Sequence, residues 1–172
     1  MKSWICFLGL RSSGKTTIGK ALASQLNWDF FDTDQVVVDQ EGKSISDLFE
    51  IIGESRFRFL ETQCLFGLPP HNLVLSTGGG MIENFEGMRY LKHRATCVYL
   101  DVPIDILVNR RNNDPGDRPI LFNAKDIKEE YQIALERRSH LLESNADLIL
   151  QIDESTSVLD VCASVRRACG IQ

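Results

Sequence analysis

The chain has 172 residues, 43% hydrophobic and 25% charged, a composition that fits a soluble globular protein with apolar material for one core and length for one domain, residues 1–172. A net charge of −5 excludes a general nucleic-acid or membrane surface, which would carry a basic excess, so the positive charges matter by position. No apolar stretch approaches the roughly 18 residues of a membrane span, and five scattered cysteines (Cys6, Cys64, Cys97, Cys162, Cys169) predict buried free thiols in a reducing compartment, the cytoplasm.

Residues 1–9 carry one lysine and a short apolar run with no small-residue cleavage site, which reads as a strand rather than a signal peptide. Gly9-Leu10-Arg11-Ser12-Ser13-Gly14-Lys15-Thr16 follows and satisfies the phosphate-loop pattern G-x-x-x-x-G-K-[ST]. The glycines let backbone N–H groups curl around phosphate oxygens, Lys15 reaches the β- and γ-phosphates, and the Thr16 hydroxyl is a ligand for Mg²⁺. Ile18, Leu22 and Leu26 form an apolar helical stripe immediately afterwards, so a helix N-terminus points at the anion.

A second strand at 28–31 leads into Asp32-Thr33-Asp34, where an α/β sheet binds its ligands. Two carboxylates at i and i+2 on an extended segment project to one side. They read either as a solvated turn capping the next helix or as a catalytic pair, Asp32 holding the metal through water and Asp34 accepting a hydrogen bond from the attacking hydroxyl. Ser44-Ile45-Ser46-Asp47 reads as a capping box opening a short helix that Gly53 ends. Arg58 either pairs with Glu61 one turn on or is oriented by it to grip a ligand carboxylate.

A third strand at 73–75 precedes Ser76-Thr77-Gly78-Gly79-Gly80, a glycine run that is either a flexible loop or a backbone N–H cradle for an anion or hydroxyl. A fourth strand is expected at 96–100. The arginine-rich, turn-rich stretch 110–119 reads as a mobile surface loop or lid. A helix beginning after Asn123 carries Ile127, Tyr131, Ala134 and Leu141 on one face, with Arg138 on the same stripe, so this charge needs an inward partner or a ligand. A fifth strand at 148–152 and a helix with Val158, Cys162, Val165 and Cys169 in line complete the chain. Strands of this kind, buried on both faces and alternating with helices, imply an α/β fold with a parallel sheet.

Taken together these motifs resemble the shikimate kinase family over nearly the whole chain. The resemblance is carried by the phosphate loop with Thr17-Ile18-Gly19, by Phe31-Asp32-Thr33-Asp34, and by Gly53-Glu54 with Phe57-Arg58 and Glu61. The triple glycine, Asp117-Arg118-Pro119-Ile120-Leu121 and the Arg138 helix complete it. It implies a three-layer P-loop kinase fold of the nucleoside-monophosphate-kinase type, with a five-stranded parallel sheet, a helical substrate-binding region at about 33–61 and a lid at about 112–124. It implies transfer of phosphate from ATP, with Mg²⁺, to shikimate in the chorismate pathway. Catalysis would fall to Lys15, Asp34 and Arg118. ATP would be held by Arg11, Ser12, Ser13, Gly14, Lys15, Thr16, Thr17, Arg110 and Arg118, and the metal by Thr16 and Asp32. Asp34, Arg58, Gly79, Gly80 and Arg138 would hold shikimate, with no nucleic-acid or membrane partner and action as a monomer. Two departures stand out: Ser12 occupies a position where many members have glycine, and the usual Pro-Leu-Tyr after the helix arginine is His140-Leu141-Leu142.

A kinase of another small polyol acid, such as gluconate, is the nearest alternative. A nucleotide-binding regulatory module that had lost its chemistry would not be expected to keep Lys15, Thr16, Asp32, Asp34 and Arg118 together. A nucleic-acid-dependent ATPase is disfavoured by the acidic balance.

Overall fold

The computed structural model describes residues 2–113 and 120–171. Five short strands, β1 (Trp4–Leu8), β2 (Asp29–Asp32), β3 (Leu73–Ser76), β4 (Ala95–Asp101) and β5 (Leu148–Gln151), form one parallel sheet in the order β2-β3-β1-β4-β5. Helices α1 (Lys15–Leu26), α2 (Thr33–Glu41), α3 (Ile45–Phe66), α4 (Phe85–Arg94), α5 (Ile104–Asn113) and α6 (Ile127–Asn145) supply the crossovers that parallel strands require, and α7 (Val158–Ala168) follows the last strand. Among the described residues no helix is long and apolar enough to cross a membrane.

The three inner strands are the core. Every residue of β1 is at most 2% exposed, and each large side chain so buried contributes about 1.5–3 kcal/mol. Cys6 pairs in register with Leu75 on one side and Cys97 on the other. The outer strands differ from the expectation of burial on both faces: β2 and β5 lie at the sheet edges and are half-buried to exposed. All five cysteines are free, four of them buried and Cys169 half-buried.

Parallel pairing sets the carboxyl ends of the strands side by side. Asp32 at the end of β2 is the register partner of Ser76 at the end of β3, and Phe7 of β1 pairs with Ser76 from the other side. The loops leaving β1, β2 and β3 therefore open at one place.

Helices α2 and α3 make a smaller core of their own from Val37, Leu48, Phe57 and Cys64. Ser44 caps α3, its Oγ accepting from Asp47 N at 3.1 Å. At Gly53 (φ 76°, ψ 161°) the helix breaks, as the sequence predicts, and then resumes to carry Arg58 and Glu61. Two expectations need correction. Asp34 lies in the first turn of α2, not on an extended segment. Residues 110–113 belong to α5 rather than to a loop, and Arg111 is only 3% exposed because Glu130 of α6 neutralises it. The rest of that stretch, 114–119 with Arg118, lies outside the described residues.

Candidate active site

The phosphate loop joins β1 to α1, and Gly14, in the left-handed region, is the residue on which α1 begins. Lys15 is 8% exposed, and its Nζ donates to the carbonyls of Gly9 (3.0 Å) and Leu10 (2.7 Å) and to Ser13 Oγ (3.3 Å). Arg110 on α5 reaches the same loop, donating to Ser12 O (3.3 Å) and Ser13 O (3.2 Å). Arg11 pairs at 3.4 Å with Glu130, which also holds Arg111 at 2.7 Å.

Asp32 serves two ends. One carboxylate oxygen caps α2, accepting from the N–H groups of Asp34 (3.1 Å) and Gln35 (3.4 Å). The other accepts from Thr16 Oγ1 at 2.6 Å, with Ser76 Oγ 3.4 Å from that hydroxyl. One carboxylate beside one hydroxyl at the foot of the phosphate loop is a hard-oxygen donor pair. It suits Mg²⁺, which keeps several waters and takes few protein ligands. Asp32 is thus a helix cap, and its second oxygen stands beside the Thr16 hydroxyl.

Behind Asp34 lies Glu61, fully buried. Its Oε2 accepts from Arg58 Nη1 at 2.5 Å and its Oε1 from Thr33 Oγ1 at 3.2 Å, while Thr33 Oγ1 accepts from Gly78 N at 3.0 Å. Burial, aided by the charge of Asp34 and resisted by Arg58, pushes the Glu61 carboxyl up to about 8. For Arg58, burial opposes the charge, but Glu61, Asp34 and Glu54 outweigh it and raise its pKa. Two of the three glycines leave room for these side chains: a Cβ at Gly78 would meet the carboxylates of Glu61 and Asp34, and one at Gly80 the guanidinium of Arg58, so those groups would have to shift.

Arg138 is turned inward on α6 and 4% exposed. Its Nε and Nη2 both donate to Glu83 Oε2, at 2.9 and 2.6 Å, and the face of Phe122 lies 5.1 Å from the guanidinium carbon. The next-door Arg137 reaches Glu83 Oε1 at 3.2 Å but leaves 55% of its side chain exposed. Glu83, Glu130 and Phe122 were not singled out by sequence reasoning. The signal for Glu83 was Arg138 itself, an inward charge demanding a partner.

Two cavities meet here. One, of about 660 Å³, is lined by Arg11, Ser12, Gly14, Lys15, Thr16, Thr17, Asp32, Asp34, Gly79 and Arg110, with Ile152, Val158 and Val161 as its apolar side. The other is a narrow cleft of about 40 Å³ walled by Asp34, Phe49, Phe57, Arg58, Gly79, Gly80, Phe122 and Arg138. Arg11, Asp34 and Gly79 line both. Every described residue expected at the site, except Ser13 behind the loop, borders one cavity or both.

The family model for shikimate kinase matches residues 11–168. The chain belongs to the shikimate kinase family. It is 43% identical over 127 residues to a shikimate kinase of Bacillus cereus (strain G9842), covering 74% of this chain and 75% of that one. A shikimate kinase of Microcystis aeruginosa (strain NIES-843 / IAM M-2473) is 36% identical over 165 residues, 95% of this chain and 85% of its own. Among solved structures, shikimate kinase from Acinetobacter baumannii in complex with shikimate superposes with a TM-score of 0.88 at 27% identity, over 98% of this chain and 93% of that one. The five-stranded parallel sheet is thus that of shikimate kinases with the P-loop kinase fold.

Proposed function

We propose that the protein transfers the γ-phosphoryl group of ATP to a ring hydroxyl of shikimate, giving 3-phosphoshikimate and ADP. The observation that carries this reading is the shared wall: Arg11, Asp34 and Gly79 border both the phosphate-loop cavity and the arginine-lined cleft. A γ-phosphate in the first would face a hydroxyl in the second across the wall that carries the Asp34 carboxylate.

In the reaction an acceptor hydroxyl oxygen forms the new P–O bond, the bond to ADP breaks, and the hydroxyl proton passes to Asp34. Catalysis here is mainly positioning and charge stabilisation. Lys15 swings its ammonium onto the phosphates, and Arg118 adds a second cation. Thr16 and Asp32 would hold Mg²⁺, which neutralises phosphate charge when bound. Arg11, Ser12, Ser13, Gly14, Thr17 and Arg110 hold the nucleotide. Arg58 and Arg138 grip the acceptor carboxylate, and Gly79 and Gly80 offer backbone N–H groups to the acceptor. The helical region 33–61 forms the acceptor side and residues near 112–124 the lid of a single domain that works as a cytoplasmic monomer.

The test is ADP release from ATP and Mg²⁺ with and without shikimate, with gluconate and quinate as controls. Strong stimulation by shikimate alone is expected. Stimulation by gluconate instead would move the protein to another polyol acid, and slow hydrolysis indifferent to every acid would leave a nucleotide-binding module.

A further inference from the structure

Ser12 holds a left-handed backbone, φ 61°, in the middle of the phosphate loop, a conformation a non-glycine residue adopts at a cost. Its side chain is engaged: Tyr131 on α6 donates its hydroxyl to Ser12 Oγ at 3.1 Å. Tyr131 is 1% exposed, and a phenol so buried requires a partner for its O–H. The preceding residue of α6, Glu130, holds Arg11, so one turn of that helix grips two consecutive residues of the loop. Ser12 lines the nucleotide cavity, whereas Tyr131 lines the acceptor cleft, on the helix that carries Arg138.

We propose that the Tyr131–Ser12 hydrogen bond holds the phosphate loop in its nucleotide-receiving shape, which makes Tyr131, a residue of the acceptor cleft, a positioning residue for the nucleotide. This rests on reading the loop as the nucleotide site. The serine hydroxyl replaces, by an outside tether, the conformational ease a glycine would bring to that position. Arg110 secures the carbonyls of Ser12 and Ser13 from the α5 side, and the tether adds a hold on the Ser12 side chain from the α6 side.

The experiment is a double-mutant cycle on ADP affinity, measured by calorimetry with Mg²⁺ and no acceptor, so that it does not depend on which acid is phosphorylated. Tyr131→Phe and Ser12→Ala should each weaken ADP binding about 3- to 10-fold, the worth of one net hydrogen bond. The double variant should lose no more than either single one, because the two changes remove the same bond. Ser12→Gly, which removes the strain with the bond, should bind ADP better than Ser12→Ala. Multiplying losses in the double variant, or an unchanged ADP affinity in Tyr131→Phe with weakened shikimate binding, would overturn the proposal. Thermal unfolding of each variant separates lost folding from lost affinity. A wild type that binds no ADP would bring down the nucleotide reading itself.

Discussion

Consecutive arginines on α6 have different surroundings. Arg138 is buried against Glu83 and Phe122 and borders the cleft, while Arg137 reaches the same carboxylate from solvent. Removing one partner of a desolvated charge pair costs about 2–5 kcal/mol. Arg138→Ala should therefore lower kcat/KM for shikimate by about 30-fold to several thousand-fold while sparing ATP binding. Arg137→Ala should stay within about 5-fold of wild type, since an exposed pair is worth about 1 kcal/mol or less. Steady-state kinetics with each substrate varied would decide, and a reversed ranking would exchange the two assignments. Glu61 makes a different case. Its carboxyl sits at about 8 in the folded chain and near 4.3 when unfolded. Between those values the folded state holds a proton the unfolded state has released, so stability falls as pH rises. The contribution is fully present below about 4.3 and gone above about 8. Thermal midpoints across this range should thus show a downward slope that Glu61→Gln removes, and identical profiles in the two proteins would refute it.

At the scale of elements, α3 shows how a local signal and a tertiary one combine. Gly53 sits at φ 76° and ψ 161°, a region open essentially to glycine alone. Nothing lies within 4 Å of a Cβ added there, so Gly53→Ala should cost only the backbone term, about 1–3 kcal/mol. For a chain of this length that lowers the melting temperature by about 2–4 °C per kcal/mol. A melting temperature unchanged or raised would mean the kink relaxes freely. That break was legible in the sequence, as were the phosphate loop, α1 and the five strands to within a residue or so, because each rests on local periodicity or a glycine in a required place. The end of α5 was not. Arg110 and Arg111 look like loop residues until Glu130, from another helix, and the loop carbonyls absorb their charge. β-strand geometry would put Asp34 on an extended segment, but Asp32 turns the chain into a helix at once by capping it. Glu83 lies 55 residues from the arginine it holds, a distance over which no local pattern speaks.

At the scale of the whole molecule, the parallel sheet gathers two cavities at the carboxyl ends of its strands, with linings that share Arg11, Asp34 and Gly79. Of these two cavities, Thr16 and Asp32 border only the larger, and Arg58 and Arg138 only the cleft. Ligand-induced stabilisation should therefore divide along the same line. A ligand at 100 times its Kd stabilises the native state by about 2.7 kcal/mol, which for a protein of this size is a rise of roughly 5–10 °C in melting temperature. ADP with Mg²⁺ and shikimate should each raise the wild-type midpoint. Chelating the metal should shrink the ADP shift and leave the shikimate shift intact, because the grip proposed for Arg58 and Arg138 on the shikimate carboxylate uses no metal. Arg58→Ala should do the converse, abolishing the shikimate shift while ADP still stabilises. Its starting midpoint should be lower, since Glu61 then keeps its buried carboxyl without the guanidinium. Thermal scans of both proteins with each ligand, with and without chelator, carry the decision. A chelator-sensitive shikimate shift would place the metal in the acceptor cleft, and an ADP shift lost in Arg58→Ala would show that the two cavities are not separable as their linings imply.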